Sequence, residues 1–284
     1  SMLEICLKEN ILLLDHVIVT ALGLEKKESS LAYAVQKVRG EELNRVKEVN
    51  MITALAGKAA GVQVSKNSSG MGGSAKVSIR GVRSVAGDNQ PLYVIDGVPM
   101  LNSTSEQAYS AIGGTANAGN RDGGDGISNL NPEDVESISI LKGAPAAALY
   151  GSQAANGVIL ITTKKGNTVG RRDIHFSTGL TFEKAFSLPE MQNSYGVSDV
   201  TDSWGEKENL TVYDNLGDFF RTGLTSITSV SVNSGNDKLQ TYFSYANTTG
   251  RGILNENKLS KHNINLRETA VLFNSRLKLD GNVN

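Results

Sequence analysis

The sequence predicts a small α/β (α+β) domain built on a mixed sheet, followed by a run of antiparallel strands. Two observations carry that reading. As far as about Gly166, short apolar runs alternate with capped helical turns. Beyond Gly166 the helical signals vanish, and longer segments with strict apolar/polar alternation take over.

In chain order, Leu3, Ile5 and Leu7 alternate like a strand. Asp15-His16-Val17-Ile18-Val19-Thr20-Ala21 centres on β-branched residues that favour an extended backbone. Leu22 to Ser30 is charged and has no core pattern, which suits a mobile tether. Asn50 can cap a helical turn from Met51 to Ala56. Val62 and Val64, then Val77 and Ile79, alternate with polar residues as strands do. Leu92 to Ile95, Ile138 to Leu141 and Val158 to Ile161 are apolar enough to be buried strands of one sheet. Asn131-Pro132-Glu133-Asp134 reads as cap, first-position proline and first-turn acids. Pro145 opens a helix to Tyr150, with Gly151 at its left-handed C-terminal position.

In the second half Ile174, Phe176, Thr178, Leu180 and Phe182 alternate with Asp173, His175, Ser177, Gly179 and Thr181. Leu239, Thr241, Phe243 and Tyr245 repeat the pattern, and Ser234-Gly235-Asn236-Asp237 supplies hairpin turn chemistry. Ile264 with Leu266, and Leu277 with Leu279, continue it. Strands of about 10 residues with dyad alternation suit a transmembrane β-barrel, and a soluble sandwich gives a similar signal.

The 284 residues carry a formal net charge of -1, with no basic stripe interleaved with aromatics, so nucleic acid is not an expected partner. A single cysteine, Cys6, excludes an internal disulfide. No run approaches the roughly 18 apolar residues of a membrane-spanning helix. Gly70-Met71-Gly72-Gly73-Ser74-Ala75 matches G-x-G-x-x-A, with Asp96 about 20 residues on. The residues after Ala75 alternate as a strand instead of opening a helix, so the segment reads as a hairpin loop. Asn120 to Asp134 is rich in Asp, Asn and Gly but lacks the EF-hand spacing. His16, His175 and His262 lie in separate segments without metal spacing, and no G-x-S-x-G elbow occurs. No enzyme, metal site or cofactor is expected. Tyr195 and Trp204 suit either ligand stacking or a membrane-interface belt.

Several of these segments together resemble the SusC/RagA-type TonB-dependent outer-membrane transporters. Asp15 to Ala21 looks like a TonB box. Val77-Ser78-Ile79-Arg80-Gly81-Val82-Arg83-Ser84 is similar to the plug's Arg-Gly strand, followed by Gln90-Pro91-Leu92-Tyr93-Val94-Ile95-Asp96-Gly97-Val98-Pro99. Asn131 to Ile138, Leu141-Lys142-Gly143 and Ala148 to Thr163 are similar to the most specific run of the family. Leu188-Pro189 and Gln192 to Gly196 resemble its first barrel region.

The resemblance implies an α/β plug domain followed by antiparallel strands of an incomplete transmembrane β-barrel. Residues 1–14 would be the remnant of a preceding small β-domain, 15–33 the TonB box and tether, 34–166 the plug, and 167–284 the first barrel strands. About five strands are too few to close the roughly 22-stranded barrel of the family, so a piece of a longer protein is expected. Asp15, His16, Val17, Ile18, Val19, Thr20 and Ala21 would bind TonB by strand addition. Arg80 and Arg83 would face acidic groups of the barrel wall and lock the plug. The implied partners are TonB, a SusD-like surface lipoprotein and a glycan or peptide substrate, in the outer membrane of a Gram-negative bacterium. The alternative is a soluble α/β interaction module with a β extension.

Overall fold

The computed structural model describes residues 17–19, 25–27, 35–66, 71–84, 89–100, 102, 104–106, 122–168, 170–197, 199, 204–208, 213–273 and 276–284. The anticipated strand at Leu3 to Leu7 lies outside them. β1 (Val17–Val19) pairs antiparallel with β2 (Glu25–Lys27), Ile18 opposite Lys26.

The first domain carries β3 (Val35–Arg39), α1 (Gly40–Leu43), β4 (Val62–Lys66), β5 (Ala75–Ile79), β6 (Leu92–Ile95), β7 (Val98–Met100), β8 (Thr104–Glu106), β9 (Asp122–Asp125), β10 (Val135–Leu141), α2 (Ala144–Tyr150) and β11 (Val158–Thr163). Five of the strands form one mixed sheet in the order β3-β10-β11-β6-β7, parallel only between β11 and β6. The three apolar segments expected in one sheet are therefore adjacent in it. Hairpins β4-β5 and β8-β9 are separate two-stranded sheets.

The sheet is apolar on both faces because it is covered on both. On one face Ile138, Ile140, Ile159 and Ile161 pack with Leu43, Met51, Ile52, Leu55, Val77 and Ile79. On the other, Leu141, Val158, Leu160 and Val94 pack with Ala146 of α2 and Ala154. Burying each such side chain contributes about 1.5–3 kcal/mol. Gly157 permits this packing. Its φ is +101°, and a Cβ there would lie 2.9 Å from Ile79 Cδ1 and 3.0 Å from Leu141 O.

The caps appear where expected, but the turns they open are short. Asn50 Oδ1 accepts from the Ile52 N–H at 3.0 Å, ahead of a single 3-10 turn at Thr53–Leu55 rather than a helix through Ala56. Asn131 Oδ1 accepts from the Glu133 N–H at 3.2 Å, and that turn ends at Asp134 as β10 begins. One 3-10 turn suffices to reverse the chain where the next strand must start at once. Gly151 ends α2 with φ +75° and ψ -161°, a positive-φ break outside the left-handed helical region.

The second domain is a meander of β12 (Arg172–Glu183), β13 (Gly223–Gly235), β14 (Leu239–Arg251), β15 (Lys258–Leu272) and β16 (Leu277–Val283), each antiparallel to its neighbour. Among the described residues neither β12 nor β16 has a strand on its outer edge. The connections are unequal. At one end only residues 236–238 separate β13 from β14 and only 273–276 separate β15 from β16, whereas at the other 184–222 separate β12 from β13, with α3 (Asn215–Phe219) among them. Asn236 shapes the first turn, its Oδ1 accepting from the N–H groups of Lys238 and Leu239 at 2.9 Å.

Register sorts the side chains of this wall. On the outer face Ile174, Val232, Phe243, Leu266 and Val283 stand directly opposite one another across all five strands. Phe176, Val230, Tyr245 and Ile264 form the adjacent row. Ile174, Phe176, Phe243, Ile264, Leu266 and Val283 are exposed. A third row, Thr178, Thr228, Asn247 and His262, is polar. On the inner face Tyr242, Ser244, Asn265, Arg267 and Thr269 are buried, and that face lies against the first domain.

Candidate functional site

The most chemically loaded region is the seam between the two domains. Its centre is Asp96, at the tight turn from β6 to β7, with φ +48°. Such a conformation costs a non-glycine residue energy that its surroundings must offset. Here the Asp96 carboxylate is held by the end of the neighbouring strand. Thr163 N–H donates to Oδ1 at 3.0 Å and Thr163 Oγ1 to Oδ2 at 2.6 Å.

The inward parity of β15 then brings Arg267 onto this corner. Its Nη1 donates to Asp96 Oδ2 at 2.9 Å and to Thr163 Oγ1 at 2.6 Å. The other edge of the guanidinium forks onto Asp280 of β16, Nε to Oδ1 at 2.9 Å and Nη2 to Oδ2 at 2.8 Å. The Arg267 side chain is only 5% exposed, against 18% for Asp96 and 30% for Asp280. A delocalised, permanently charged fork suits this double task, which an ammonium could not match.

Four further contacts join the domains. Tyr242 donates its hydroxyl to Asp134 Oδ1 at 2.9 Å. Lys261 Nζ and Asn263 Nδ2 donate at 2.6 Å to the carbonyls of Ser128 and Asn129. Lys47 bridges Glu133 of its own domain and Ser177 of β12. Its aliphatic stem crosses Gly179, where a Cβ would lie 2.6 Å from Lys47 Cγ and 3.1 Å from Cβ and Cδ. At one end of the seam Lys66 pairs with Glu48 at 2.9 Å beside a cavity of about 120 Å³, whose lining includes Met71, Thr225 and Glu183.

The sequence-predicted site residues fall elsewhere. Of the extended segment, Asp15, His16, Thr20 and Ala21 lie outside the described residues, while Val17, Ile18 and Val19 form β1. Arg80 is exposed with φ +61°, its N–H bonded to Gly61 O at 2.8 Å. Its guanidinium lies beside Gly143, where a Cβ would come within 3.0 Å of Nη1. Burial, and then the Arg80 charge, hold the Lys142 amine below the ordinary lysine range. Arg83 donates to the Ala155 carbonyl at 2.8 Å. Among the described residues neither arginine makes an ion pair, and the guanidinium that joins the domains is on the wall.

Ala75 opens β5, so the glycine-rich match is a hairpin connection and has no helix N-terminus to hold a pyrophosphate. Asp125 serves as a cap, Oδ1 accepting from the Ser128 N–H at 2.9 Å. Among the described residues no group of three or more His, Cys, Asp or Glu side chains could hold a metal. Trp204 is exposed, its ring 5.6 Å from that of Tyr195.

Residues 27–158 match the family described as TonB-dependent Receptor Plug Domain. Over 99% of its length the chain is 31% identical to the TonB-dependent receptor SusC of Bacteroides thetaiotaomicron, and covers 27% of that protein. It is 35% identical to the TonB-dependent receptor P26 of Formosa agariphila, over 63% of this chain and 16% of that one. The fold matches that of the RagAB peptide importer in its open-open state, with a TM-score of 0.67 and 24% identity. That match covers 91% of this chain and 30% of the other. The chain thus spans about a quarter to a third of the length of SusC and of the RagAB chain.

Proposed function

The chain is a SusC-like TonB-dependent transporter segment with its plug at residues 27–158, and from that premise we propose that its parent protein imports solutes through an outer-membrane pore. The observation that carries this reading is the two-faced wall. Its outer face bears two apolar rows in register, one across five strands and one across four, and its inner face is largely polar and buried on the plug. Hydrocarbon outside and a plugged lumen inside require that division. A soluble module would need a second layer over Phe176, Phe243 and Leu266, and among the described residues none covers them.

The mixed-sheet domain occludes the pore. The segment from Asp15 to Ala21 is the box through which TonB pulls, by adding it as a strand to its own sheet. Arg80 and Arg83, exposed away from the described wall contacts, serve as locking groups toward acids elsewhere on the barrel. A surface lipoprotein of the SusD type caps the pore, and the solute is a glycan or a peptide. No chemistry is done on it. The short turns at 236–238 and 273–276 lie at the periplasmic end and the excursion 184–222 outside the cell, the usual asymmetry of such barrels.

Proline at Val17 removes a backbone donor and restricts φ without touching the pore. In the full-length importer Val17→Pro should abolish energised uptake and leave solute binding at the surface unchanged. Uptake at the wild-type rate would show that the coupling segment lies elsewhere.

A further inference from the structure

We propose that Arg267 is a two-position latch, with Asp280 as its resident counter-ion and Asp96 as the exchangeable one. The proposal rests on the importer reading and adds to it how the plug is released and recaptured.

A single buried ion pair between plug and wall would resist release. Separating it leaves an uncompensated charge on each side, the costly way to break a buried pair. The seam avoids this through its connectivity. When the plug moves off, Arg267 loses only the two bonds made by Nη1, to Asp96 and to Thr163. Its Nε and Nη2 keep the fork on Asp280, which belongs to the adjacent strand of the same wall. Asp96 for its part keeps both Thr163 bonds, because β6 and β11 lie side by side in the plug sheet. Neither the guanidinium nor the carboxylate is stranded in either state.

The same connectivity sets the holding strength. Arg267 shares one positive charge between two carboxylates, so the attraction of Asp280 dilutes its grip on Asp96. Removing the charge of Asp280 leaves Asp96 as the only anion on the guanidinium, and the plug is held harder. Removing the charge of Asp96 loosens the plug and leaves the wall pair intact. Two isosteric changes at one cluster therefore act in opposite directions, which a merely structural cluster would not do.

The test uses the full-length importer in planar bilayers and in cells, with Asp96→Asn, Asp280→Asn and Asp280→Glu. Heat-modifiable migration on gels confirms that each barrel is folded. Asp96→Asn should raise resting ion conductance several-fold while retaining energised uptake. Asp280→Asn should leave resting conductance at or below wild type and slow energised uptake several-fold. Asp280→Glu, which keeps the charge, should recover most of that rate. The proposal is overturned if both asparagine variants leak, if Asp280→Asn transports at the wild-type rate, or if Asp280→Glu is as slow as Asp280→Asn. The Val17→Pro control separates the two readings. Loss of uptake there, with both asparagine variants leaking, sinks the latch alone, whereas normal uptake in Val17→Pro sinks the coupling model beneath it.

Discussion

Tyr242 of the wall donates its hydroxyl to the Asp134 carboxylate of the plug across 2.9 Å, and both side chains are buried to within 1%. Asp134 sits where a 3-10 turn passes directly into β10, and its carbonyl accepts from the Lys164 N–H at 2.8 Å. The bond therefore fixes the wall to the point where β10 begins beside the end of β11.

Tyr242→Phe should cost about 1–3 kcal/mol, because it leaves a buried carboxylate without its hydroxyl donor. Tyr242→Phe combined with Asp134→Leu should recover much of that loss, since both polar partners are then gone. Denaturant unfolding of the chain in detergent, run as a double-mutant cycle, measures the coupling. Additive losses would show that the bond contributes nothing of its own.

Gly179 is needed for space. Any Cβ there meets the stem of Lys47, not its flexible end. Gly179→Val should push Lys47 off Glu133 and Ser177 and cost about 1–3 kcal/mol by overpacking. Lys47→Ala in the same chain should return part of that. Thermal unfolding of the three variants gives the comparison, and equal melting of Gly179→Val and wild type would contradict it.

Ile264 and His262 share the outer face of β15 two residues apart, but Ile264 lies in an apolar row and His262 in the polar one. His262 Nδ1 is bonded to the Tyr245 hydroxyl at 2.9 Å. Ile264→Arg should destabilise the folded barrel by about 2–4 kcal/mol in a bilayer, and His262→Arg by about 0–1. Urea titration of the full-length protein in liposomes reads both. Equal costs would place the two residues at one depth.

Lys142 has its amine held low by burial first and by Arg80 second. Its pKa in the folded chain is below that in the unfolded chain. Between the two values the unfolded chain binds a proton that the folded chain does not. Stability therefore rises with pH through that alkaline window. Arg80→Gln should move the Lys142 titration upward and flatten the dependence. NMR titration of the plug lysines in the full-length importer tests it, and an unmoved Lys142 would rule out the Arg80 contribution.

Much of this architecture was legible because two periodicities differ. Continuous apolar runs at Leu92–Ile95 and Val158–Ile161, with Ile138 and Ile140 marking the third strand, occur where strands are covered on both faces. Strict alternation in Arg172–Glu183 occurs where an exposed outer face and a plug-facing inner face divide them. The lengths of the turns after Asn50 and Asn131 were not legible, since a cap marks a beginning and the next strand decides the end. The seam was missed for a related reason. Arg267 continues the inward parity set by Asn263 and Asn265, so its side of the wall could be read from the sequence. Its partners Asp96 and Asp280 lie 171 and 13 residues away, and only the fold brings them together. Arg80 and Arg83 stood out through their motif, which says nothing about what faces them.

The alternation along β14 has one more consequence. Phe243 and Tyr245 lie on the outer apolar face while Tyr242 and Ser244 point toward the plug, so each letter of this strand is read on one of two faces. Inserting one residue between Asn236 and Leu239 would exchange the readers for everything downstream that kept its pairing. Ser244 would turn to the outer apolar face, and Thr241 would stand where Tyr242 now meets the Asp134 carboxylate. The frame of the strand is thus checked twice, by the apolar rows outside and by the plug inside, and an error of one position cannot satisfy either.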